Sequence, residues 1–347
     1  MICVTNELQE IFTIPDTHSG GIDALAIAHD ASRLVTGGQD KYLRVWNLPE
    51  LNCEFSANVG SKVWCVAVTP DNAIVLCGCD DGNIRVYSIA TRFSCEVKAH
   101  SAPVTDIVCI STQYVVSGGA DGNIIIWDLR TMNEIRRIQQ KSSWVKSLAC
   151  IDPEFAVVAS GQDNVLQLWN LQNEQVCSKL TASSAPWCLK PLGPSAVVYG
   201  CIHGHVECWD LASSNPHSIG KLDSSVHTVC VSNDGKVLLA ASNSQIALWD
   251  SYTLVPINTW RIPRKQIIKS ALLFKLTGAQ IPSTSTFPNA LSSSHEHSQD
   301  TSSLAVSGKD VISANLEPEN NSRRTVRYNI LLEFSESADL YCHYRNP

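Results

Sequence analysis

An apolar run ending in Trp or Tyr returns six times along the chain, as YLRVWNL, NIRVYSI, NIIIWDL, VLQLWNL, HVECWDL and QIALWDS. Its aromatic residue stands at Trp46, Tyr87, Trp127, Trp169, Trp209 and Trp249, so the steps are 41, 40, 42, 40 and 40 residues. A period this steady, with four strand-like segments per unit, constrains the chain to an all-β array of small sheets, the pattern of propeller blades. The turns GGQD (37–40), CDDG (79–82), GGAD (118–121) and SGQD (160–163) precede the aromatic strand. Gly and Asp there suit the positive-φ and side-chain-capped positions of a tight hairpin. Alternating apolar segments upstream, such as VTDIVCI and YVVSGG, supply the inner strands. A length of 347 residues would by itself suggest two domains. The repeat overrides that prior, and a single domain over 1–334 with a C-terminal tail at 335–347 is expected.

These residues resemble the WD-repeat family, and the resemblance runs from 15 to 262 without a break. It implies a buried hydrogen-bond network in each blade, made by a His before the first strand, a Ser or Thr on the second, the hairpin Asp and the Trp. Two units match all four positions: His18, Thr36, Asp40 and Trp46, then His100, Ser117, Asp121 and Trp127. Elsewhere Ala159, His203, Asn243 and Tyr87 replace members, so packing must carry those blades. The His and Asp pairs are read as polar networks that fix blade geometry rather than as catalytic dyads.

After Trp249 the next aromatic is due near 289, where residues 275–302 are instead rich in Ser, Thr and Pro. That composition reads as a flexible insertion open to phosphorylation. Beyond it SLAVSGKD (303–310) looks like AVVASGQD, and TVRYNI (325–330) looks like NIRVYSI, which places Tyr328 at the Trp position. The expectation is a seven-bladed WD-repeat propeller, with six clear blades over 15–262 and a divergent seventh over 263–334. QIIKSALLF (266–274) is its innermost strand. A last blade short of one strand would expose an edge. ELQEIFTI (7–14) and ADLYCHY (338–344) compete for that place, and the sequence does not choose between them.

A net charge of -7 argues against a broad grip on nucleic acid or anionic membrane. A nucleic-acid or phosphoinositide reading rests on Arg261, Arg264, Lys265, Lys269, Arg323, Arg324 and Arg327 near the seventh blade, and it ranks last. The opening MICVTNELQEIF lacks a basic and apolar leader, and no stretch approaches the ~20 apolar residues of a spanning helix. The fourteen cysteines lie mostly singly in apolar runs, with no CxxC pair. Buried, reduced thiols in a cytoplasmic or nuclear protein are therefore expected. Cys77 and Cys79 share a strand face, but no ligand pair completes a metal set near them, and no cofactor is expected.

The sequence carries no P-loop, G-x-S-x-G elbow, H-E-x-x-H or dinucleotide fingerprint, and an enzyme is not expected. His227 with Asp23 is the one thin candidate for channel chemistry, and His295, Glu296 and His297 read as part of a solvated loop. More informative is a position that aligns near the start of each innermost strand: Asp23, Trp64, Thr105, Lys146, Trp187, His227 and Lys269. The resemblance implies that it opens on the top face around the channel, where relatives grip peptides. Five of the seven are polar. Trp64 and Trp187 are the exceptions, and Trp144 lies beside the same rim. Either these indoles pack between blades as core, or they form an aromatic peptide-binding mouth in which Asp23 and cation-π contacts favour a basic side chain.

The leading expectation is a non-catalytic scaffold for protein or peptide partners in a multi-protein complex. A second reading rests on VVSGGADGNIIIWDLR (115–130). Its ending resembles the box of WD-repeat substrate receptors in cullin-RING ubiquitin ligases, which implies that Asp128 and Arg130 contact the ligase adaptor. An exposed Arg after a strand is also common surface decoration.

Overall fold

The structure is a computed structural model that describes residues 9–14, 18–19, 21–50, 52–139, 144–152, 155–160, 163–213, 215–232, 234–261, 267–274, 311–316 and 328–335. These residues form seven four-stranded sheets and, among the described residues, no helix. Six sheets use four consecutive strands each, laid side by side in chain order by tight antiparallel turns. The first holds Ile22–Ile27, Arg33–Gly38, Tyr42–Asn47 and Asn52–Asn58. The second to sixth begin at Val63, Val104, Val145, Pro186 and Thr228. Each innermost strand packs against the next, and Ile267–Phe274 lies against both Thr228–Val231 and Ile22–Ile27, so the inner strands run in a circuit. This is the propeller arrangement expected from the period.

The core lies between adjoining sheets, which is why the second strands are apolar on both faces. Val35 and Val45 of the first sheet pack with Val63, Val75 and Cys77 of the second, and the contact recurs between the second and third, third and fourth, and fifth and sixth sheets. Close approach fixes the small residues of the GG hairpins. A Cβ on Gly37 would stand 2.3 Å from Val63 Cγ1, and one on Gly118 would stand 2.4 Å from Val145 Cγ1. The following glycines, Gly38 and Gly119, lie under the rings of His18 and His100, where a Cβ would come within 2.3 Å of each Nδ1. In the second and fifth sheets the same register position holds Cys79 and Cys201, both fully buried. The thiols there occupy the place that an imidazole fills in the first and third sheets.

Among the described residues no disulfide joins the cysteines. Cys53 and Cys177 depart from the expectation of burial because they sit on outermost strands, whose alternate residues face solvent.

The remaining sheet breaks the chain order. Its innermost strand Ile267–Phe274 pairs with Tyr328–Ser335, which pairs with Val311–Leu316, which pairs with Gln9–Ile14. The expected alignment is corrected here. Tyr328 opens the strand beside the innermost one rather than standing at the Trp position, and the third place is taken by Val311–Leu316 rather than by 325–330. Short hairpins oblige consecutive strands to be neighbours, whereas the stretch 275–310 is long enough to pass over one strand. The outer edge of this sheet is held by Gln9–Ile14. The rival segment 338–344 lies outside the described residues, as do the insertion 275–302 with His295, Glu296 and His297, and the basic residues Arg264, Lys265, Arg323, Arg324 and Arg327.

Candidate functional site

The aligned positions share a backbone cause. Asp23, Trp64, Thr105, Lys146 and Trp187 each fall where the innermost strand slips register against the second, as between Ile22 and Ala24 or between Val145 and Ser147. Lys269 falls at the same slip between Ile268 and Ser270. Such a bulge leaves one residue unopposed and re-aims its side chain out of the strand alternation. In the sixth sheet, pairing begins at Thr228 and His227 stands just before it, its N–H donating to the Ala241 carbonyl at 2.9 Å.

The side chains of Trp64, Lys146 and Trp187 converge from different sheets. Lys146 Nζ, from the fourth sheet, lies 3.9 Å from the ring centre of Trp187 in the fifth and 5.9 Å from that of Trp64 in the second. It is also 5.5 Å from the Trp144 ring. Lys62 Nζ covers the Trp64 ring at 4.0 Å and pairs with Asp23 Oδ2 at 3.0 Å, linking the second sheet to the first. Trp64 is pinned by its indole N–H, which donates to Asp80 Oδ1 at 2.8 Å. All three indoles are half-buried and none belongs to the closed core. The expected cation-π contacts were to an incoming basic group; in the structure this chain's own Lys62 and Lys146 lie over these rings.

Burial pushes the Lys146 ammonium down to about 8, since the nearby Cys188, Asp106 and Asp23 only partly offset the loss of water and Lys62 adds repulsion. Thr105 is committed to structure: its hydroxyl faces the Val145 carbonyl at 2.5 Å and the Gly118 carbonyl at 3.0 Å. Asp106 ties the third sheet to the fourth by accepting from the Ser147 hydroxyl at 2.9 Å and the Leu148 N–H at 2.8 Å. His227 Nε2 lies 2.5 Å from Asn243 Oδ1. The thin catalytic pair therefore has Lys62 beside Asp23 and Asn243 beside His227. Lys62 and Asp80 were not singled out in the sequence. Their signal is positional: Asp80 N–H donates to the Lys62 carbonyl at 2.9 Å, so in the second sheet the hairpin residue before the capping Asp borders the rim.

The two four-residue networks are built by hydrogen bonds. His18 Nδ1 is 2.7 Å from Asp40 Oδ1, His18 Nε2 is 2.7 Å from Thr36 Oγ1, and Trp46 Nε1 donates to the same Oγ1 at 3.0 Å. In the third sheet His100 repeats this with Asp121 and Ser117, and Trp127 donates to Ser117, all at 2.9 Å. With Nδ1–H donating to the carboxylate, Nε2 accepts from the hydroxyl, and every buried donor is used. Burial would raise the Asp40 carboxyl, but the hydrogen bonds from His18, Arg44 and the Ser19 N–H hold it well below the usual carboxylate range. Asp121 is held down in the same way by His100, Asn123 and Ser101.

Asp128 and Arg130 take ordinary blade roles. Asp128 Oδ1 accepts from the Arg130 N–H at 2.9 Å and so closes the turn. The Arg130 side chain is 72% exposed, and the Gln113 amide oxygen, oriented to satisfy its hydrogen bonds, accepts from it at 2.9 and 3.1 Å. Among the described residues no group of three His, Cys, Asp or Glu side chains is placed to hold a metal, and no helix is long and apolar enough to cross a membrane.

Four stretches, residues 8–47, 50–88, 92–128 and 214–250, match the family described as WD domain, G-beta repeat. The chain is 25% identical over 298 residues to autophagy-related protein 16 of Arabidopsis thaliana, covering 68% of this chain and 58% of that protein. It is 26% identical over 277 residues to WD repeat-containing protein ATCSA-1 of the same plant, covering 73% and 59%. Against a ribosome biogenesis protein WDR12 homolog of Trichoplax adhaerens the identity is 26% over 168 residues, 46% of this chain and 38% of that one. The chain thus spans less than two thirds of the length of these relatives.

Proposed function

The chain belongs to the WD-repeat β-propeller family, and from that premise we propose that it is a non-catalytic scaffold that holds protein partners at the aromatic mouth of a seven-bladed ring. The observation that carries this reading is the convergence of Trp64 and Trp187, from the second and fifth sheets, on Lys146 and its neighbour Trp144 of the fourth. Half-buried aromatic side chains aimed from rigid strands are the residues on which binding energy concentrates. Function on such a ring is set by surface patches rather than by the fold.

Seven blades are supported by the circuit of inner strands, with the seventh fastened by Gln9–Ile14. The free thiols support a reducing compartment, cytoplasm or nucleus. Docking to a cullin-RING adaptor is not favoured, since turn closure accounts for Asp128 and surface hydrogen bonding to Gln113 for Arg130. The test is quantitative affinity purification with Trp64→Ala and Trp187→Ala. Loss of a set of partners from variants that remain folded is expected; an unchanged set would contradict the reading.

A further inference from the structure

Lys146 stands apart from the other charged groups of the mouth. Lys62 has Asp23 at 3.0 Å, Asp80 has the Trp64 N–H at 2.8 Å, and Asp106 has the Ser147 hydroxyl and the Leu148 N–H. Among the described residues no carboxylate stands within ion-pair distance of Lys146 Nζ, which rests on three indole faces. Cation-π contact compensates only part of the lost hydration of an ammonium. An ammonium largely withdrawn from water and lacking a carboxylate at ion-pair distance is relieved most by an anion brought to it.

We propose that the mouth selects an acidic peptide, one Asp or Glu of an extended partner segment seating its carboxylate on Lys146 Nζ while its neighbours lie against Trp64, Trp144 and Trp187. This deepens the reading of the mouth as the partner site and rests on it. A monoanion fits better than a phosphate. Among the described residues the mouth offers one ammonium outside an ion pair and no Arg fork, and the carboxylates of Asp23, Asp80 and Asp106 border it, so a second negative charge is repelled. The lowered Lys146 value has the same origin and gives a second readout. The groups facing this amine are Asp23, Lys62, Asp106 and Cys188, from four sheets. Below about 8 the amine is charged and pairs with the carboxylate, so affinity falls as pH rises from 7 to 10.

The experiment is selection of random short peptides displayed on phage against the full chain at pH 7, followed by Kd measurement of the selected peptides on Lys146→Met, Lys146→Arg, Trp187→Ala and the parent. The expected result is one enriched Asp or Glu position, a Kd weakened at least ~10-fold in Lys146→Met, retained binding in Lys146→Arg, and a pH slope that vanishes in Lys146→Met. If Lys146→Met does not fold, Lys146→Gln is read in its place. Peptides that need Trp187 but carry a neutral or basic residue at the enriched position, or that bind Lys146→Met as well as the parent, would overturn the inference and leave the scaffold reading standing. Binding only after Glu is replaced by phosphoserine would overturn the carboxylate. Selection of no peptide that depends on Trp187 would overturn both.

Discussion

Ser117 Oγ receives the Trp127 N–H and faces His100 Nε2 at the same 2.9 Å, in a place with no access to water. Replacing it with Ala leaves two buried polar atoms unsatisfied at once. Ser117→Ala is expected to lower unfolding free energy by about 1–3 kcal/mol, read from the urea midpoint at unchanged slope. The carboxylates at the other end of each network set the acid limb of stability. Asp40 and Asp121 are held below the roughly 3.9 of an unfolded Asp, so as pH falls below about 5 the unfolded state binds protons that the folded state refuses. Their contribution is full above that window and lost through it. Urea midpoints should fall between pH 6 and 3, and the fall should be shallower in Asp121→Asn; an equally steep limb would show that these carboxylates do not govern it. The four members of each network were legible because they recur at fixed places in the repeat. The cysteines were legible only as apolar, since that Cys79 and Cys201 fill an imidazole's place emerges from the register.

At the level of strands and sheets, the recurrence of a Val opposite a Gly shows how neighbouring blades lock. A Cβ at Gly118 would overlap Val145 Cγ1, so Gly118→Ala is expected to cost about 1–3 kcal/mol by overpacking, and adding Val145→Ala to recover part of it. Additive losses in the double variant would mean that the two positions are not in contact in solution. The apolar period determined six sheets because short hairpins leave each strand no neighbour but the next. It failed for the remaining sheet, where a long intervening stretch frees strand order from chain order. TVRYNI resembles the aromatic strand by composition, yet Tyr328 opens a strand beside the innermost one. The bulges were not visible as such, since register is a property of two strands. The alignment nonetheless found their residues, because six of the seven innermost strands bulge at the same place.

For the whole molecule, the edge strand Gln9–Ile14 covers Val311–Leu316, which would otherwise present unpaired backbone groups. Removing residues 1–14 is expected to lower Tm and promote self-association in light scattering; a truncated chain as monomeric and as stable as the parent would mean that this strand does not fasten the ring. Across the ring, the sequence located Trp64, Trp187 and Lys146 but assigned the cation-π role to an incoming basic group. Which cations lie over those indoles depends on contacts between sheets far apart in the chain, and no pattern within one repeat encodes them.

The central claim is that partners engage this mouth. It is tested most directly by hydroxyl-radical footprinting of the full chain alone and co-purified with its partners. Trp64, Trp144 and Trp187 should lose reactivity in the complex, while Tyr252 and Phe93, exposed at 76% and 66%, serve as references that keep theirs. Unchanged reactivity at all three indoles in a partner-saturated sample would contradict the claim.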